Sequence, residues 1–230
     1  MLHLDHLLLT EPGFHLSADL TVPDGALVAV IGPSGAGKST LLNAIAGFVA
    51  PTEGRVLWNG SDITDKAPGA RPVSILFQDQ NLFPHLTIEQ NLGLGLSPDG
   101  RMDGPARQRI AEALERMGLS GMGQRRPAQL SGGQHGRAAL ARALLRARPV
   151  LLLDEPFAAL GPALKAEMLE LVRAMAQDSG TTVLMVTHDP GDALRLGGLT
   201  LLVADGLAHP PRDTASLFAD PPQALRDYLG

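Results

Sequence analysis

The stretch GPSGAGKST, residues 32–40, decides the fold. It fits G-x-x-x-x-G-K-[ST] with Gly32, Gly37, Lys38 and Ser39 in the required places, and it directly follows the apolar run ALVAVI. Such a run reads as a buried strand, and LLNAI after Thr40 continues as a helix. The turn between them, with Ser34, Gly35 and Gly37, points backbone N–H groups inward, where they suit phosphate oxygens. The helix start adds its positive end and Lys38 adds a full charge. The Ser39 hydroxyl is an oxygen ligand of the kind Mg²⁺ takes. Alone, the string predicts a phosphate binder on an α/β scaffold and nothing finer.

Composition sets wider bounds. A chain of 230 residues is long enough for one α/β domain with an insert. The net charge of −5 and the absence of a basic stripe argue against a nucleic-acid footprint. With no cysteine, disulfides and thiolate metal sites drop out. The start, MLHLDHLLLTEPG, has no Lys or Arg ahead of its short apolar run, so no secretory leader is expected. No stretch approaches the roughly 18 apolar residues that read as a membrane span. Any membrane role is therefore expected to come through a partner.

Around the glycine loop, Phe14, Leu16, Ala18, Leu20 and Val22 alternate with polar positions, and Leu2, Leu4 and Leu8 do so less cleanly. These read as half-buried strands, with Phe14 on the core face and His3 and His6 on opposite faces, a poor metal pair. Together with residues 56–58 they predict an antiparallel sheet beside the loop. Residues 26–31, 73–77, 150–153 and 182–186 are short, wholly apolar runs and read as parallel strands buried on both faces. Residues 84–147 are rich in Ala, Arg, Glu and Leu and read as a helical insert, with a Gly/Pro loop at 97–105. The expected organisation is one domain, 1–230. Segments 1–83 and 148–230 form the nucleotide-binding core, and 84–147 the helical subdomain.

Further strings carry chemistry. VLLLDEP delivers Asp154 and Glu155 to the C-terminal end of a strand, where open α/β sheets bind ligands. Neighbouring strand residues point opposite ways, so the two carboxylates can divide the work: Asp154 to Mg²⁺, Glu155 to polarising the water that attacks a terminal phosphate. His188 ends the run TTVLMVT at the same edge, placed to orient that water and sense the phosphate. Gln78 follows VSILF, where its amide reaches both metal and water. LSGGQ, with Ser131, Gly132, Gly133 and Gln134, reads as a second helix start built for an anion, with the helix at 136–147 behind it. One chain has no use for two such starts on one phosphate. A head-to-tail pair of chains, each presenting its LSGGQ to the nucleotide held by the other, resolves this.

In this order the strings resemble the ATP-binding subunit of ATP-binding-cassette transporters, over nearly the whole chain. The resemblance makes 32–40 the Walker A loop, Gln78 the Q-loop, 130–134 the signature, Asp154 and Glu155 the Walker B pair with its catalytic base, and His188 the switch histidine. It implies an ABC-type P-loop ATPase with an antiparallel β subdomain and a helical subdomain, using ATP and Mg²⁺. It also implies a dimer peripheral to the cytoplasmic face of the inner membrane, bound to an integral-membrane permease and served indirectly by a periplasmic solute-binding protein. Within that family, RPVSILFQDQNLFPHLTIEQNLGLGLSP, residues 71–98, looks most like the thiamine importers, with iron, polyamine and sulfate importers as alternatives. A soluble non-transport ABC ATPase would bring coiled-coil heptads, a tandem cassette or a basic surface. A small-molecule kinase would leave LSGGQ and His188 without a role.

Three departures from the family pattern stand out. No aromatic lies near Leu9 and Thr10 to stack on adenine, which predicts weak base discrimination. AALG at 158–161 replaces S-A-L-D, so the acid that links the two sites is missing at Gly161. Gly136 stands where the family commonly has Gln. Leu82, Phe83, Pro84 and His85 read either as an apolar lip for the permease or as packing at the root of the insert.

Overall fold

A computed structural model describes residues 1–79, 82–97 and 99–229. Gln80, Asn81 and Pro98, which belong to the 71–98 segment and the 97–105 loop, lie outside the described residues, as does Gly230.

The chain forms β1 (Leu2–Glu11), β2 (Phe14–Val22), β3 (Leu27–Ile31), α1 (Lys38–Ala46), β4 (Glu53–Trp58), β5 (Ser61–Asp62) and β6 (Val73–Leu76). Then come α2 (Ile88–Leu96), α3 (Gly104–Arg116) and α4 (Gly132–Leu145), followed by β7 (Val150–Asp154), α5 (Pro162–Ser179), β8 (Thr182–Val186) and α6 (Pro190–Leu196). β9 (Leu199–Ala204), β10 (Leu207–Ala208), β11 (Arg212–Asp213), α7 (Thr214–Ala219) and α8 (Gln223–Leu229) complete it. The strands make one sheet in the order β5-β4-β1-β2-β10-β9-β3-β8-β7-β6, with β11 on β9. Its β9-β3-β8-β7-β6 part is parallel, and β1, β2, β4 and β5 are antiparallel.

The expected parallel strands are present with ends moved by a residue, and their alternate side chains feed two cores. Val28, Val30, Val150, Leu152, Leu184 and Val186 join α1 and the antiparallel sheet on one face. Ala29, Ile31, Leu151, Leu153, Val183 and Met185 join the helices on the other. β9 was not expected. It pairs with β3 and, through β10, ties the parallel strands to β2.

The uneven alternation in β1 has a local cause. The register against both β2 and β4 shifts after Leu4 and Asp5, and His6 takes a left-handed φ of 48°. Leu2, Leu4, Leu7 and Leu9 are therefore the buried set, and Leu8 is not. This bulge also overturns the expectation that His3 and His6 face apart. Asp19 lies 4.0 Å from His3 Nε2 and 3.6 Å from His6 Nε2.

Between β6 and β7 the described residues are helical or irregular. α2 and α4 begin with capping boxes from Thr87 and Ser131, and Asp103 caps α3. α4 starts at Gly132, one turn before the expected 136, because Ser131 is the cap itself. Among the described residues no helix is long and apolar enough to cross a membrane.

Candidate active site

β3 ends in Ile31 and the chain turns sharply at Gly32, whose backbone lies against β9. A Cβ there would sit 2.0 Å from the Val203 carbonyl oxygen, so only glycine fits. Gly35 and Gly37 adopt φ of 79° and 100°, and Gly37 is the N-cap of α1. The Ala36 N–H closes a turn onto the Pro33 carbonyl, and the first N–H groups of α1 follow with no side-chain cap. Lys38 arches back over it, and its Nζ donates to the carbonyls of Gly32 and Pro33 at 2.8 Å each. Burial lowers the Lys38 pKa, opposed by the charges of Glu155 and Asp154.

β7 lies beside β8 in the sheet and brings Asp154 to the same end. The Ser39 hydroxyl donates to Asp154 at 2.9 Å. Burial raises the Asp154 pKa, and the Ser39 hydrogen bond works against that shift. A hydroxyl beside a half-buried carboxylate is the hard oxygen set that Mg²⁺ takes, so the residues fit that ion.

The next residue, Glu155, is not on the strand. Its φ of 43° turns the chain left-handed, so its direction comes from this turn rather than from strand alternation, as the sequence had suggested. Such strain in a non-glycine residue clusters at functional sites. Its carboxylate lies 3.1 Å from His188 Nδ1, on the loop after β8. The loop is braced from inside. The Thr187 hydroxyl donates to Asp192 at 2.5 Å, the Asp189 N–H donates to Thr187 Oγ1, and Lys165 of α5 bridges Asp189 and Asp192 at 2.9 and 2.8 Å.

Lys38, Ser39 and Glu155 border a cavity of about 420 Å³ that Glu11, Phe14, Ser34, Gly35, Gly37 and Thr40 also line, while Asp154 and His188 stand behind it, bonded to Ser39 and Glu155. Phe14 corrects the sequence reading. It is half-buried, packs against the core with one side and lines this cavity with another. A Cβ on Gly37 would meet its ring at 2.7 Å, so the glycine loop and the aromatic are in direct contact.

Gln78 follows β6, whose Leu76 pairs with Leu153 just before Asp154. It is exposed at this end of the sheet and does not line the cavity. Ser131 to Gln134 lie apart from it, at the start of α4, and none of them lines the cavity. Ser131 accepts from the Gln134 N–H, and Gln134 Oε1 accepts from the Ser131 N–H at 3.1 Å. Gly132 is exposed with open space around it. Gly133 is buried, where a Cβ would meet Leu164 Cδ2 at 2.4 Å. Close approach of α4 to α5 is thus a second demand for glycine at Gly133, beside the expected approach to an anion.

The suggested lip divides. Leu82 is a core residue, while Phe83, Pro84 and His85 are exposed. The segment is held by Asn91, a fully buried residue that the sequence reading passed over. It accepts from the Phe83 N–H and donates to the carbonyls of Phe83 and Thr87. Phe83 borders a second groove, of about 230 Å³, with Ile75, Leu94, Gly95 and Arg142.

The family model described as ABC transporter matches residues 16–158, from β2 through Glu155. The chain belongs to the ABC transporter family. Among curated ABC relatives it is 67% identical to the thiamine import ATP-binding protein ThiQ of Cereibacter sphaeroides, over all of both chains. It is 55% identical to the protein of that name from a Ruegeria species, again over the full length of both. Among solved structures it is similar to the ATP-binding cassette MJ0796 in a dimeric, post-hydrolysis state bound to ADP and Pi. The TM-score there is 0.79 at 31% identity, over 93% of this chain and 99% of that one. The ABC P-loop ATPase fold expected from the sequence is thus established.

Proposed function

We propose that this chain is the ATP-hydrolysing motor subunit of a thiamine importer. The observation that carries the reading is 67% identity, without gaps in coverage, to a thiamine import ATP-binding protein. Iron, polyamine and sulfate cargo find no such support.

In the mechanism we infer, the N–H groups of the 32–37 turn and the α1 N-terminus hold the phosphates of ATP, and Lys38 swings from the loop carbonyls to the outer phosphates. Ser39 and Asp154, with Gln78, would hold Mg²⁺. That ion would supply charge neutralisation for the phosphates. Glu155 accepts a proton from the attacking water as its oxygen bonds to the γ-phosphorus and the bond to ADP breaks. His188, within hydrogen-bond distance of Glu155, orients the water and the terminal phosphate.

Ser131, Gly132, Gly133 and Gln134 complete the site from a second copy in a head-to-tail dimer. Their separation from the cavity within one chain, and the dimeric state of MJ0796, support this. The exposed Phe83 and the groove beside it are the inferred contact for a membrane permease, on the cytoplasmic side of the membrane. A periplasmic solute-binding protein would act on this chain only indirectly, through the permease.

The test is ATP-dependent uptake of radiolabelled thiamine by membrane vesicles carrying the transporter with this chain or its Glu155→Gln variant. Uptake with the former and loss with the latter is expected. No thiamine uptake despite ATP hydrolysis by the unaltered chain would overturn the cargo assignment.

A further inference from the structure

The last helix reaches the candidate catalytic loop. α8 is seated by Leu225, which is fully buried, and Tyr228 on the next turn packs against the main core. The Tyr228 hydroxyl donates to the backbone carbonyl of His188 at 2.6 Å, across 40 residues of sequence. This is the only tyrosine in the chain.

Consider what else fixes that loop. The inner brace from Lys165, Asp192 and Thr187 holds Thr187 and Asp189, the residues on either side of His188. None of those bonds touches the His188 carbonyl. The orientation of the 188–189 peptide governs where the His188 side chain leaves the backbone, and the imidazole sits only 3.1 Å from Glu155. The N–H end of that peptide, on Asp189, is held by Thr187 Oγ1, and the Tyr228 hydroxyl fixes its other end, the carbonyl, so the two contacts together set the peptide from which the imidazole is aimed.

We infer that Tyr228 is a positioning residue for His188, so that α8 is part of the hydrolytic machinery rather than a trailing end. Burial, and to a lesser extent the charges of Asp189, Glu155 and Asp192, raise the Tyr228 pKa, so the hydroxyl stays a donor throughout the working range. The inference rests on the role proposed above for His188. It adds that α8 sets turnover, which a tag, truncation or binding partner at α8 would change.

The experiment compares ATP hydrolysis by the assembled transporter carrying the unaltered chain, Tyr228→Phe, His188→Ala, or both. Tyr228→Phe removes one hydroxyl and keeps the ring, so folding is retained, with a melting temperature within about 3 °C of the parent. A hydrogen bond of this kind predicts a fall in kcat of roughly 3- to 10-fold, with KM for ATP unchanged. In the His188→Ala background the added Tyr228→Phe change should have no further effect.

If His188→Ala lowers kcat and Tyr228→Phe does not, the positioning role is wrong while the role of His188 stands. Equal losses from Tyr228→Phe with and without His188 would mark a general structural effect and also overturn it. If His188→Ala leaves kcat unchanged, the reading of His188 fails and the inference falls with it.

Discussion

Replacing Phe14 with alanine should weaken nucleotide binding. The ring lies against the glycine loop, with Cζ 2.7 Å from where a Cβ on Gly37 would be, and lines the cavity that ends at Glu155. An aromatic face offered to a purine base contributes about 0.5–1.5 kcal/mol, equivalent to a factor of roughly 2–12 in dissociation constant. Titration calorimetry with MgATP in the Glu155→Gln background, where turnover is suppressed, measures this directly. Phe14→Ala should raise the ATP dissociation constant within that range, and Phe14→Trp should stay near the parent. This replaces the expectation of weak base discrimination drawn from the lack of an aromatic near Leu9. The ring also covers core residues, so a thermal melt must accompany the titration. An unchanged ATP dissociation constant in a folded Phe14→Ala protein would refute the reasoning, because the ring would then be packing alone.

Other expectations follow from single contacts. Gly133→Ala puts a Cβ 2.4 Å from Leu164 Cδ2, the end of a half-buried side chain that can turn aside, and should cost up to about 1 kcal/mol in denaturant unfolding, while Gly132→Ala, with open space around it, should cost less. Gly161 caps α5 without a side-chain hydrogen bond, so Gly161→Asp should add a few tenths of a kcal/mol by thermal melt. If the missing acid matters for coupling, the same change should raise cooperativity in ATP. Hydrogen bonding from Lys165 lowers the Asp189 pKa, so that carboxylate's stabilisation is present at neutral pH and is lost as pH falls through the lowered value. Burial disfavours the Lys165 ammonium, but hydrogen bonds to Asp192 and Asp189 outweigh it and raise its pKa. Its stabilisation therefore fades only as pH rises through that raised value. Lys165→Met should flatten the pH dependence of the melting temperature at both ends.

What the sequence made legible is the part written in short-range rules. A glycine loop between an apolar run and a helix, and four buried runs feeding a parallel sheet, need only period and turn chemistry. Features that depend on where one segment meets another stayed hidden. The bulge at His6 places a non-glycine residue at positive φ, which no local signal announces, and it shifts which leucines are buried. Glu155 is aimed by its own left-handed turn, invisible in the string LLLDEP. Gly133 reads as part of an anion loop because its neighbours suit one, and only the fold shows that its lack of a side chain also makes room for Leu164, 31 positions further on. Asn91 sits in a helix among leucines and glycines. Only the fold shows it holding the Phe83 segment. Tyr228 lies on a short terminal helix with no motif around it.

The central claim is that two chains complete each site, and the absence of native cysteine makes it directly measurable. Ser34 and Ser131 are both exposed, one on the glycine loop and the other capping α4. Chains carrying Ser34→Cys would be mixed with chains carrying Ser131→Cys, both with Glu155→Gln, and oxidised with MgATP, with ADP, or without nucleotide. The account predicts a disulfide-linked heterodimer that forms with ATP and is much reduced otherwise. No cross-link with ATP, or the same yield under all three conditions, would contradict it.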